Sequence, residues 1–273
     1  MSVLDSLRQI KVADIMLKDI PIVSKDYSLT HVVKIMDKYE IDRVIVVKEG
    51  ELIGIATKKD IISKLGTART SRVTAGRLHI SGFMTPNPLT ISPDESIVKA
   101  AKIMIEKDIS SLPVVENDEI RGLITKWCLL EPLKEAELKL KDLMSTIPVF
   151  LKTTDRVIHA RRVILDYNVE ILPVLNELNK VVGTISIDEI ADALFQLHEL
   201  IPTRYRKERL MNILLEDVMR LNPPLYYPNT TIGEAIREII DRKIRGVIVI
   251  NEVEERPIGI VTLTDITKYI ATL

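Results

Sequence analysis

Four short stretches carry hydroxyl and acid side chains at a spacing that could do chemistry. Gly54 to Asp60 reads "GIATKKD" and Gly259 to Asp265 reads "GIVTLTD", with "GTISIDE" at Gly183 and "GLITKWC" at Gly122 completing the set. Thr57 precedes Asp60 by three residues, Thr262 precedes Asp265, and Ser186 precedes Glu189. At a helix start this spacing makes a capping box, in which hydroxyl and acid satisfy orphan backbone N–H groups. A carboxylate fixed in that way can also accept hydrogen bonds from a ligand, and both roles can coexist. The second stretch keeps Thr125 but has Cys128 at the acid position, and a thiol cannot accept two strong hydroxyl hydrogen bonds.

Other reactive residues form no catalytic pattern. His31, His79, His159 and His198 share no metal spacing, and Cys128 stands in no nucleophile motif. The chain has no Walker loop and no "GxGxxG". Neither catalytic nor metal-ligating residues are expected, and a small apolar role is the default for Cys128.

The elements that position the four stretches recur with them. Each stretch is preceded by an apolar run closing on a methionine, at Met16, Met84, Met144 and Met219. Twelve residues later stand Ser28, Ser96, Arg156 and Thr231, so the register holds across four copies. Leu29, Val32, Val33 and Met36 then fall at i, i+3, i+4 and i+7, a helical stripe repeated by Ile97, Ala100, Ala101 and Met104 and by Ile232, Ala235, Ile236 and Ile239. Ser28, Ser96 and Thr231 suit those helices as caps. Two β-branched runs, "RVIVV" and "LIGIAT" in the first copy, read as a hairpin, and a second helix is expected just after the hydroxyl of each copy. A strand, helix, hairpin, helix unit of about 55 residues buries its apolar faces poorly alone, so units should pair.

The pairing is visible at longer range. At an offset of 135 residues "ARTSRVTAGRLHISGFM" lies over "TRYRKERLMNILLEDVM", placing Arg69 over Arg204, so the chain reads as a duplicated pair of repeats. The expected divisions are residues 1–66, 67–133, 134–197 and 198–273. With 38 basic against 39 acidic residues the formal charge is −1, which gives no general attraction to nucleic acid or anionic membrane. One cysteine rules out an internal disulfide framework, and no apolar run approaches the ~18 residues that span a bilayer. A soluble cytoplasmic protein is the expectation.

The opening Asp14-Ile15-Met16, Asp142-Leu143-Met144 and Asp217-Val218-Met219, the hairpin strands "SLPVV" and "ILPVL", and the closing glycine, hydroxyl and acid together resemble the cystathionine-β-synthase (CBS) domain family. Four copies in register resemble two tandem Bateman modules, the arrangement of the γ subunit of AMP-activated protein kinase. The resemblance implies an α+β (α/β) fold of four CBS repeats, as a flat disc that is monomeric or forms a homodimer. It implies a non-enzymatic regulator that binds AMP, ADP, ATP or a related adenosine ligand, with no separate cofactor, and acts on a protein client. The other reading is an interaction scaffold with vestigial sites.

By the same resemblance, Asp60 and Asp265 would grip ribose with Thr57 and Thr262 toward phosphate, Ser186 and Glu189 would form a third, longer site, and the copy with Cys128 would be degenerate. Arg43 and Arg245, just ahead of the hairpin strands, would hold phosphate where the other copies have Ser110-Ser111 and Glu170-Ile171. Adenine would enter an apolar slot made by Ile20, Ile22 and Val44 in the first copy and by Pro223, Leu225 and Val247 in the fourth. Arg69 and Arg204 in the connectors are secondary candidates for phosphate.

Overall fold

A computed structural model describes residues 7–65 and 73–273. Arg69 lies outside the described residues. The first repeat runs α1 (Val12–Ile15), β1 (Ile22–Ser24), α2 (Leu29–Lys38), β2 (Arg43–Lys48), β3 (Glu51–Thr57) and α3 (Lys58–Lys64). The second has β4 (Thr85–Pro86), α4 (Ile97–Glu106), β5 (Ser111–Glu116) and β6 (Glu119–Thr125). The third has β7 (Leu151–Lys152), α5 (Val157–Asp166), β8 (Ile171–Leu175), β9 (Val181–Ser186) and α6 (Ile187–Leu200), followed by a connector helix α7 (Thr203–Leu210). The fourth has β10 (Arg220–Leu221), β11 (Leu225–Tyr226), α8 (Ile232–Arg242), β12 (Gly246–Ile250), β13 (Pro257–Thr262) and α9 (Leu263–Ala271).

The expected caps form. Ser28, Ser96 and Thr231 accept hydrogen bonds from the N–H groups of His31, Lys99 and Glu234. One expected element differs: after Thr125 the second repeat makes a 3-10 segment, Cys128–Leu133, in place of an α-helix. Cys128 supplies no acid for a capping box, and Pro132 has no N–H to give the Cys128 carbonyl, so α-helical bonding is lost at the first turn.

Within each repeat the hairpin is antiparallel and, in three of the four, the strand after the methionine joins it in parallel, as Ile22 opposite Ile45 does. The segments immediately after the methionines cross to the neighbouring repeat. Thr85 pairs with Ile55 and Leu17 with Leu123, joining repeats one and two, while Arg220 pairs with Thr184 and Ser145 with Ile260, joining three and four. This crossing explains the glycine that opens every stretch. A Cβ at Gly54 would lie 2.5 Å from the Met84 sulfur, and one at Gly122, Gly183 or Gly259 would lie 2.8, 2.6 or 2.9 Å from the sulfur of Met16, Met219 or Met144. Each repeat's methionine therefore sits over its partner's glycine.

The helical faces cover each other in a second pairing. One buried cluster takes Leu29, Val32 and Met36 of repeat one together with Val157, Ile164 and Leu194 of repeat three, and α3 packs against α6. The other takes Ile97, Ala101 and Met104 of repeat two with Ile236, Ile239 and Ile270 of repeat four, and α4 packs against α9. Smaller clusters, Ile45, Ile55 and Leu123 in one module and Ile147, Ile248 and Ile260 in the other, join the sheets. Sheet contacts (one to two, three to four) and helix contacts (one to three, two to four) close the four repeats into a ring.

Candidate functional site

The hydroxyl and acid stretches fold as capping boxes wherever an acid is present. Asp60 Oδ2 accepts from the Thr57 N–H at 2.8 Å and its hydroxyl at 2.6 Å. Asp265 Oδ2 accepts the same pair from Thr262 at 2.9 and 2.7 Å, and Glu189 Oε2 accepts from the Ser186 N–H and hydroxyl at 2.9 and 2.5 Å. In repeat two only the weak acceptor Sγ of Cys128 faces Thr125, at 3.3 Å from its hydroxyl. The cap uses one carboxylate oxygen and leaves the second for other work.

That second oxygen has a different fate in each copy. Asp265 is 6% exposed, and its Oδ1 accepts the Ser145 hydroxyl at 2.5 Å. Glu189 Oε1 accepts Arg220 Nε at 3.2 Å. Asp60 Oδ1 receives no protein hydrogen bond among the described residues, and Asp60 and Thr57 border a cavity of about 420 Å³.

The cavity draws on all four repeats. Repeat two supplies Thr85, Asn87, Pro88 and Leu89 with Ile109 to Ser111, repeat three Glu170, and repeat four Arg245 and Thr264. Five cationic side chains (Arg43, Lys59, Lys107, Lys126, Arg245) and four carboxylates (Asp42, Asp60, Asp108, Glu170) border it, a net charge of +1. The two expected arginines are deeply set and already paired. Arg43, 2% exposed, forks onto Asp42 at 2.6 and 2.9 Å and donates to the Ser110 carbonyl at 2.9 Å. Arg245, 5% exposed, donates to Asp188 at 2.6 and 3.1 Å and to Asp42 at 2.6 Å. Burial alone would raise the Asp42 carboxyl, but the Arg43 and Arg245 guanidiniums hold it well below the usual carboxylate range. Burial likewise opposes the charge on Arg245 and is outweighed by Asp188 and Asp42. Lys126 is buried too, donating to the Thr264 hydroxyl at 2.7 Å with Glu170 at 3.7 Å.

Arg245 thus borders the cavity of the first repeat's acid, together with Arg43, Thr57 and Asp60. The six slot residues do not join that lining. Ile20 packs on the sheet cluster of Ile45, Ile55 and Leu123, and Ile22 is 49% exposed in β1. Val44 and Val247 are interior strand residues opposite Ala56 and Val261, and Leu225 is 40% exposed beside half-buried Pro223. The crossing puts the second repeat's "TPNPL" beside Asp60, where Pro88, Leu89 and Ile109 join Ile55, Leu165, Val169 and Ile187 in the apolar lining. Arg204 lies over the Tyr205 ring, 4.6 Å from its centroid. Lys126 and the Thr85 to Leu89 segment are absent from the sequence reading. The recurrent glycine in a strand, which marks a close approach, is the signal that points to the crossing.

A second cavity, of about 560 Å³, lies at Thr125 and Trp127 in repeat two and shares Asp42 and Arg245 with the first. Asp188 and Asp192 line it around Lys58, whose ammonium lies 3.1 Å from Asp192.

The model of the CBS domain matches residues 12–67, 80–135, 140–196 and 215–272. A crystal structure of protein MJ1225 from Methanocaldococcus jannaschii, described as a proposed archaeal homolog of g-AMPK, superposes with a TM-score of 0.81 at 18% identity, covering 95% of this chain and 99% of that one. An uncharacterised conserved protein from Pyrococcus horikoshii superposes at 0.63, also 18% identical, covering 96% and 100%. These likenesses are of fold. A homoserine O-acetyltransferase from Methanococcus vannielii is 29% identical over 120 residues, 42% of this chain and 24% of that protein. The chain spans about a quarter of the length of the first curated relatives it matches.

Proposed function

The chain belongs to the CBS-domain family, and from that premise we propose that it is a regulatory adenine-nucleotide-binding protein with its principal site at Asp60. The observation that carries this reading is the division of labour within one carboxylate: Oδ2 caps α3, and Oδ1 is left to accept ribose hydroxyls in the cavity. Pro88, Leu89 and Ile109 offer adenine an apolar surface, and Arg43, Lys126 and Arg245 supply the positive charge a phosphate needs. The ligand class is AMP, ADP or ATP, with phosphate number read by the cationic end.

Regulation follows from where the cavity lies. A ligand there touches side chains from all four repeats, so it favours the relative placement of the two modules in which those groups converge, and a protein client that prefers that placement gains affinity. Isothermal titration of nucleotide-stripped protein with AMP, ADP and ATP tests the reading. Asp60→Asn is expected to weaken binding at least tenfold, since a charge-assisted hydrogen bond contributes about 1.5–3 kcal/mol. Equal affinity in the variant would sink the assignment and favour a scaffold, a reading supported at repeats three and four by acids that are already bonded internally.

A further inference from the structure

The residue following each crossing methionine faces the acid position of the paired repeat, in the same register every time. Thr85, Leu17, Ser145 and Arg220 lie opposite Ile55, Leu123, Ile260 and Thr184, each two residues before the hydroxyl of its stretch. Their chemistry tracks what they face. Leu17 stands at the copy whose acid is replaced by Cys128. Arg220 pairs with Glu189, and Ser145 donates to Asp265. Thr85 borders the cavity with Asp60 but makes no hydrogen bond to it among the described residues.

We propose that this residue selects which acids are open to a nucleoside: Ser145 presents Asp265 with a hydroxyl where a ribose would present its own, and Arg220 does the same to Glu189 with a guanidinium. The selection rests on the adenosine reading of Asp60. It assigns one open site per chain, at Asp60, although the fourth repeat carries an equally complete Thr262 and Asp265. The cap oxygen of Asp265 is committed to Thr262, so the Oδ1 held by Ser145 is the acceptor a ribose would need. At 2.5 Å this contact lies at the short end for an O–H donor on a carboxylate, and a ribose must displace it. Ser145 holds its place through backbone pairing with Ile260, at 2.8 and 3.0 Å, which a side-chain change leaves intact.

Titration calorimetry with AMP and ATP on a set of full-length variants tests the assignment, with circular dichroism and melting checking the fold. Wild type is expected to bind one nucleotide, and Asp60→Asn to weaken that site at least tenfold. Adding Ser145→Ala to Asp60→Asn should create a site, and adding Asp265→Asn to that pair should remove it; Ser145→Gly is the second variant should alanine disturb folding. A wild-type site already lost in Asp265→Asn alone, or no Asp265-dependent binding in either Ser145 variant, overturns the selector. Binding through Asp265 in the Ser145 variants without any Asp60-dependent site in wild type would uphold the selector and refute the principal site.

Discussion

Single side chains in this protein do two jobs, and the buried charges show which of them constrain it most. Arg245 neutralises Asp42 and Asp188 at once, across three repeats, and its own guanidinium is almost out of reach of solvent. Removing Arg245 takes the closest cation from Asp188 but leaves Asp42 on the Arg43 fork, so the cost lies below the ~3–5 kcal/mol of breaking an isolated buried pair. Arg245→Ala should therefore destabilise by more than Asp60→Asn, which at a half-exposed cap should cost no more than about 1 kcal/mol; chemical denaturation of both compares them. A second buried group makes stability depend on pH. His198 is 1% exposed, its Nδ1 has no partner among the described residues, and burial, with Arg206 beside it, pushes its pKa below the ordinary 6.5. Glu199 and the Val73 carbonyl favour the proton but do not prevail. The folded pKa is lower than the unfolded one, so as pH falls below about 6.5 the unfolded chain takes up a proton that the folded chain refuses. Stability is expected to fall through that window and to be independent of His198 above it. His198→Gln should flatten the loss, as melting temperatures measured from pH 7.5 to 5 would reveal.

At the scale of elements, the crossing strand and the glycine beneath it are a matched pair. The four glycines do not meet equal obstacles. At Gly54 the nearest atom to an added Cβ is the flexible end of Met84, whereas at Gly122 it is the Leu17 backbone carbonyl, at 2.6 Å. A methionine can rotate away, but a paired backbone moves only with its strand. Gly122→Ala is expected to destabilise by about 1–3 kcal/mol, the usual range for overpacking, and Gly54→Ala by less. Thermal melts of the two variants give the order, and an equal loss would mean that the methionine is as fixed as the backbone. The 3-10 segment of repeat two belongs to this scale as well. With no acid at Cys128 and with Pro132 inside it, the segment does not start an α-helix, and Lys126 beside it borders the cavity that holds Asp60.

Across the whole molecule, stability comes from two pairings at right angles in the connectivity: sheets within a module and helices between modules. Both large clusters cross the boundary between residues 133 and 134, since one joins repeats one and three and the other joins two and four. Expressed separately, residues 1–133 and 134–273 should each expose an apolar helical face and self-associate or precipitate. Light scattering across a concentration series tests this, and two monomeric, soluble halves would show that the helical pairing is dispensable. Mixing the halves is expected to restore a one-to-one complex.

The sequence by itself determined the repeat, its elements and its caps, because these depend on residues near one another in the chain: the stripe at Leu29, Val32, Val33 and Met36, the hydroxyl at Ser28, the Thr57 and Asp60 box. It also carried the two levels of duplication, through spacing alone. It could not say which segment lies beside which acid, since crossing between repeats leaves only a glycine and a methionine as its trace. For that reason Ile20, Ile22 and Val44 read as the slot beside Asp60, where tertiary structure brings Pro88 and Leu89. The same holds for charge. Arg43 and Arg245 read as free phosphate ligands; Asp42 adjoins Arg43 in the chain, but only tertiary packing brings Ser110 to Arg43, and only the closed ring brings Asp42 and Asp188 to Arg245. Local spacing determines what each residue is able to do, and long-range packing determines which partner takes up that capacity.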